Sequence, residues 1–323
     1  MKVLHDVHTH NIFSSCCFDR TASTAAFVEK EASLGNKIFG LSNHIWDESV
    51  RGASSWYSYQ TIAKAKEAKA SLANAPAGLR CLFGAETEYY HCHDRLGMSE
   101  EGAKAFDYLL VPHSHQHMRN EVMWDYPEIA ALRERVAAEI RSASPWLDES
   151  TVRTMVNSLK EAHLMKYLPD GITTDIAAFV TDAAVASFHA LCENETFIRL
   201  CRTMPVSIAH PFNLCSVSNS MKNGCLARIS DETLRGCFAK AKKGGAYCEF
   251  NLGSVAEQGR ELENNQLMRV FAAAKAEGCQ FTFGTDSHTV EGLGNIKIAG
   301  AVCDYLGLTP ADVAEYLRDG VEA

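Results

Sequence analysis

Histidines and acids in this chain fall where chemistry can be done. Asp6-Val7-His8-Thr9-His10 has the pattern of a strand end, and strand side chains alternate with period two, so His8 and His10 face the same side. Near the other end of the chain, Gly284-Thr285-Asp286-Ser287-His288 puts Asp286 and His288 on one face in the same way. Between them, apolar runs end in Ser42-Asn43-His44, in Glu86-Thr87-Glu88, in His113-Ser114-His115-Gln116-His117 and in His210-Pro211. Imidazoles and carboxylates converging on one spot need a cation, because the carboxylates would otherwise repel one another in a poorly solvated pocket. Mixed nitrogen and oxygen donors suit zinc, manganese or iron and disfavour calcium and magnesium. The donors outnumber what one transition metal takes, so about two to three divalent ions are expected, with Glu86 and Asp286 as bridging carboxylates.

The elements that must position these residues can be read from the apolar pattern. Short β-like runs at 3–7, 37–41, 80–85, 108–111, 205–209, 245–250 and 280–284 alternate with amphipathic stretches at 24–34, 59–73, 231–242 and 263–277. Alternating strand and helix argues for a parallel sheet, open or closed into a barrel, whose C-terminal strand ends gather on one rim. Ser230 before Asp231-Glu232 predicts a helix start, Gly244-Gly245 a helix stop, and Thr309-Pro310 the start of a last helix over 311–317. About 95 residues separate the fourth and fifth runs, so residues 118–203, with Trp124 and Trp146, are expected to be a helical insertion in a single domain spanning 1–323. His5 falls on the strand face opposite His8, and His163 and His189 sit in helical patterns, so these three are expected to be structural.

Composition narrows the function classes. The 323 residues are 46% hydrophobic and 22% charged, with 31 Lys plus Arg against 40 Asp plus Glu, a net charge of −9. An acidic chain with no basic stretch is a poor partner for nucleic acid or an anionic membrane surface. No run approaches ~18 apolar residues, and the start lacks a signal-peptide core. Twelve cysteines scattered through apolar segments, with no Cys-x-x-Cys, fit reduced thiols in a cytoplasmic protein.

Taken in order, Asp6-Val7-His8-Thr9-His10, Ser42-Asn43-His44, Gly84-Ala85-Glu86, Ala209-His210-Pro211 and Gly284-Thr285-Asp286-Ser287-His288 resemble the successive motifs of the PHP (polymerase and histidinol phosphatase) superfamily. The resemblance runs from Asp6 to His288 and implies a distorted seven-stranded α/β, TIM-like barrel with a trinuclear metal cleft and phosphoester hydrolysis. It carries ligand roles onto His8, His10, His44, Glu86, His210, Asp286 and His288. Three departures stand out. The family's further His or Asp after His-x-His is replaced by a segment offering Cys16 or Asp19. The Asp before the second-strand His is Asn43. The fourth-strand motif offers His113, His115 and His117, of which His115 is favoured and His113 is second.

The expected chemistry follows from the ions. A bound cation lowers the pKa of water to ~7, and paired ions can hold the nucleophile and polarise a phosphoryl oxygen. No Gly-x-Ser-x-Gly or phosphate-cradling glycine loop is present. Developing phosphate charge also wants a cationic side chain, for which Arg119 and then Arg20 are the candidates. The expected activity is hydrolysis of a small phosphorylated metabolite. The rivals are an amidohydrolase or lactonase on the same metals and a metal-binding regulatory module without turnover.

Overall fold

Seven apolar segments become the strands of one parallel sheet: β1 (His5–Asp6), β2 (Ile38–Leu41), β3 (Arg80–Glu86), β4 (Tyr108–Pro112), β5 (Val206–Ala209), β6 (Tyr247–Asn251) and β7 (Phe281–Gly284). The computed structural model describes residues 1–115, 127–157, 172–214, 217, 219–259 and 261–322. Neighbours in space follow neighbours in sequence from β1 to β7, every pair parallel. The sheet also closes on itself. The Val7 N–H donates to the Phe283 carbonyl at 3.0 Å, the Asp286 N–H to the His8 carbonyl at 2.7 Å, and the His10 N–H to the Ser287 carbonyl at 2.9 Å. The buried Asp6 carboxylate strengthens this seam by accepting from the Thr285 N–H at 3.0 Å and its hydroxyl at 2.6 Å. The protein is therefore a nearly closed α/β, TIM-like barrel, and every strand's C-terminal end lies on one rim.

Packing explains why the barrel is this narrow. The Tyr108 ring is wholly buried, and its hydroxyl donates to the Val7 carbonyl at 2.7 Å. Gly40 on β2 and Gly84 on β3 face it, and a Cβ on either would run into the tyrosine ring or hydroxyl. Helices cover the outside: α1 (Thr24–Ser33), α2 (Ile62–Ala70), α3 (Pro127–Ala143), α4 (Glu149–Asn157), α5 (Ile172–Glu193), α6 (Glu195–Thr203), α7 (Asn219–Arg228), α8 (Asp231–Gly244), α9 (Gln266–Ala276) and α10 (Ala299–Leu306). Ser230 caps α8 through the Thr233 N–H, ahead of Asp231 and Glu232, and Gly245 ends it at φ 86°. Within the long gap between β4 and β5, helices α3 to α6 form, and α3 and α4 share a small core of Ala137, Val152 and Val156. Residues 116–126 and 158–171, which include about a quarter of the expected insertion, lie outside the described residues.

Two expectations are corrected. No helix spans 311–317. Pro310–Asp312 and Glu315–Gly320 are short 3-10 turns, the first bearing the Thr309–Asp312 capping box. Between them Val313 bridges Phe281, and the Ala314 N–H donates to the Phe281 carbonyl at 2.9 Å, so pairing with β7 diverts the chain from helix. Ile176–Glu193 within α5 also reaches a mean hydropathy of 1.3 over 18 residues, enough by length and composition to cross a membrane. Its apolar side is nevertheless covered, with Ile176, Val180, Ala184, Phe188 and Leu191 buried in the main core, as in a core helix of a barrel.

Candidate metal centre

The rim brings together the side chains that the strand ends carry. His8 and His10 follow β1, His44 follows β2, Glu86 ends β3, His210 follows β5, and Asp286 and His288 follow β7. His8 Nε2 and His10 Nε2 approach to 2.9 Å. Glu86 Oε2 lies 3.2 Å from His8 Nε2, 3.1 Å from His10 Nε2 and 3.2 Å from His44 Nδ1, while its Oε1 lies 2.9 Å from His210 Nε2. Asp286 Oδ1 sits 3.4 Å from His8 Nε2 and 3.2 Å from His10 Nε2. Ligands bound ~2.0–2.1 Å from a tetrahedral zinc lie about 3.4 Å from one another, so this spacing suits donors shared around ions.

Three overlapping donor groups can each hold a metal ion: His8, His10 and Asp286; His44, Glu86 and His115; and His10, Cys16, His44 and His288. In each, the donor atoms all lie within 4.8 Å of one another. The groups share His10 and His44, and Glu86 touches donors of all three. Two of the rim residues hold unusual backbone: Asp286, a member of these groups, at φ 53°, and His210, which stands outside them on Glu86, at φ 27°, conformations that side chains other than glycine adopt at a cost. The interior of the cluster is closed, with His8, His10, Glu86 and His44 all buried. The Asp286 side chain is 23% exposed, and Cys16 and His288 are half-buried, so the centre opens to solvent on that side.

Electrostatics bind the cluster together even without a cation. Burial alone would raise the Glu86 carboxyl, but the charges of His44 and His8 and hydrogen bonds from His10 and His210 hold it well below the usual range. Asp286 behaves alike, burial being outweighed by His8 and His10. Burial pushes the Cys16 thiol up, and the Asp286 and Glu86 carboxylates push it further, so this sulfur needs a neighbouring cation to act as thiolate. Burial and the charge of His10 bring His288 down to about 4.

The open choices between residues separate clearly in space. His115 joins His44 and Glu86, and its Nδ1 donates to Glu88 Oε1 at 2.7 Å. His113 does not join them. Its ring packs against Phe188 and Phe212, its Nε2 accepts from the Phe212 N–H at 2.9 Å, and burial lowers it to about 3. Cys16 Sγ lies 3.0 Å from His288 Nε2. Asp19 instead caps its own loop, accepting from the Thr21 N–H at 2.8 Å and hydroxyl at 2.6 Å. Asn43 does not face the donors; it braces the turn behind His10, accepting from Asn11 N–H and the Ser14 hydroxyl. Arg20 is exposed on the loop that carries Cys16. Arg119 and His117 lie outside the described residues.

Two acids lie behind the donors: Glu88, which the sequence pairs with Glu86 at a strand end, and Glu249, which no motif marks. Glu88 backs His115, and Glu249 on β6 reaches His8 Nδ1 at 2.6 Å and the His210 N–H at 2.6 Å. For Glu249 the signal was a lone acid in an otherwise apolar strand, Ala246-Tyr247-Cys248-Glu249-Phe250.

No family model matches the sequence, and no curated protein matches it. Among solved structures, the chain is similar to a histidinol phosphate phosphatase from Lactococcus lactis subsp. lactis Il1403 complexed with zinc, L-histidinol and phosphate. That match covers 96% of this chain and 95% of the other, at 13% identity and a TM-score of 0.49. An adenosine deaminase from Xanthomonas campestris with bound zinc is matched over 97% of this chain and 64% of its own, at 8% identity and a TM-score of 0.38. The chain resembles the PHP superfamily by its own motifs, in their order along the sequence and in their meeting on one rim of the barrel.

Proposed function

We propose that the chain is a metal-dependent hydrolase, and specifically a phosphomonoesterase acting on a small phosphorylated metabolite in the cytoplasm. The observation that carries this reading is the set of three overlapping donor groups with Glu86 between them and an open side at Asp286, Cys16 and His288. The donors fit about two to three ions of zinc, manganese or iron, which when bound supply Lewis acidity and a nucleophile from water at neutral pH.

The chain's own residues do the rest. Glu86 and Asp286 supply the negative charge that makes a multiply charged cation cluster tolerable in a buried site. Glu88 accepts from His115 Nδ1, so Nε2 is the nitrogen that His115 would offer to a cation. The His288 Nδ1–H donates to the Asp286 carbonyl at 2.9 Å and fixes that ring similarly. Among the described residues the donors are buried except on the Asp286 side, where a phosphoryl group would enter. Arg20 and Arg119 are proposed to meet its remaining charge. The net charge of −9 supports a small substrate over nucleic acid.

The test is a substrate panel on zinc-, manganese- and iron-reconstituted protein: aryl, sugar and nucleoside phosphates and histidinol phosphate beside amides and lactones. Metal-dependent release of phosphate from at least one monoester, and no amide or lactone turnover, is expected. Amide or lactone turnover alone would transfer the site to the rival hydrolase class, and no turnover of any compound by metal-loaded protein would leave a binding module.

A further inference from the structure

We infer that Glu249 is a positioning residue that selects the metal-binding nitrogen of His8 and couples His8 to His210; the inference rests on the metal reading above. Glu249 is fully buried on β6, and both of its oxygens are committed. Oε1 accepts from His8 Nδ1 and Oε2 from the His210 N–H, each at 2.6 Å. A carboxylate in this arrangement only accepts, so the His8 proton is held on Nδ1. Nε2 is then the atom that faces His10, Glu86 and Asp286. The second bond holds the His210 backbone where its φ is 27°, with its ring on Glu86. One side chain thus ties together two donors from opposite parts of the barrel.

The barrel keeps space for this contact. A Cβ at Gly284 would collide with the His8 Cβ and crowd Glu249 Oε1. Glycine on β7 is therefore what lets β6 and the end of β1 approach closely enough for the bond.

Glutamine is the informative replacement. Its amide has one accepting oxygen and one donating nitrogen, whereas Glu249 accepts twice. The His210 backbone N–H cannot become an acceptor, so the amide oxygen goes to it and the NH2 faces His8 Nδ1. His8 must then move its proton to Nε2, which blocks the nitrogen that faces the donors. A role in folding alone would affect thermal stability without this selectivity.

The experiment compares zinc binding by wild type and Glu249→Gln at one fixed pH, through competition with a chromophoric chelator and elemental analysis, alongside thermal melts. Nitrogen-15 NMR of the histidine rings reads the His8 tautomer in the zinc-loaded wild type, which covers the case of a variant that fails to fold. The expected result is ~10- to 100-fold weaker binding of one ion with the remaining zinc retained, and a wild-type His8 protonated at Nδ1. Zinc affinities within about threefold of wild type for every ion, or a wild-type His8 protonated at Nε2, would overturn the inference. A wild type that takes up no zinc overturns the metal reading and this inference together.

Discussion

Cys16 and Asp19 share one loop yet face different surroundings. The sulfur points at His288, while the carboxylate closes a turn onto Thr21. Cys16→Ser is expected to weaken zinc binding by ~10-fold or more, as loss of a metal-site interaction does, whereas Asp19→Ala should leave zinc affinity unchanged; a chelator competition assay separates them. The pair shows what the residue pattern gives away. Period-two spacing marked His8 with His10 and Asp286 with His288, because alternation alone fixes which side chains share a face. It could not choose between Cys16 and Asp19, which lie on a loop without a period, nor find Glu249, whose role depends on which strand lies across the barrel. A buried histidine away from the donors also has a consequence: His5, whose Nδ1 lies 3.1 Å from the Gly320 carbonyl and whose pKa burial lowers from 6.5 to about 4. Below pH 6.5 the unfolded chain binds a proton that the native state refuses, so the contribution of His5 is fully present above 6.5 and is lost as pH falls toward 4. Roughly 3 kcal/mol is at stake. Urea unfolding of metal-free protein should show a steeper loss over this range for wild type than for His5→Gln, and equal slopes would contradict the burial argument.

Strands set the precision of the site. The seven apolar runs were legible because parallel strands are covered on both faces and are continuously apolar. Their ends were less so: β4 stops at Pro112, and the turn that follows sends His113 into the aromatic slot and His115 to the donors. The capping signal at Thr309-Pro310 is real but serves a single turn, after which strand pairing prevails over the expected helix. Tyr108 offers a test at this scale. Gly40→Ala meets chiefly the tyrosine hydroxyl, and Gly84→Ala meets the ring. Each should destabilise by about 1–3 kcal/mol through overpacking. Tyr108→Phe should partly rescue Gly40→Ala and not Gly84→Ala, as read by thermal melts of the double variants; equal rescue of both would show that the ring does not fill this interior.

At the scale of the molecule, closure of the sheet is what turns scattered strand ends into one centre. The first and last strands meet through Val7, Asp6 and Thr285, and that seam brings His8 and His10 to Asp286. Ions held across such a seam would bind the native state more tightly than the unfolded chain and so add to its stability by mass action, by at most ~4 kcal/mol at a thousandfold excess over Kd. A chelator should therefore lower the melting temperature of the loaded protein, and restored zinc should raise it again. Whether ions fill the centre is read by elemental analysis of protein purified without chelator and then reconstituted. About two to three zinc, manganese or iron ions per chain are expected, with fewer in Asp286→Ala. Well under one ion per chain after reconstitution, or a full complement retained by Asp286→Ala, would rule out a metal centre built on these residues.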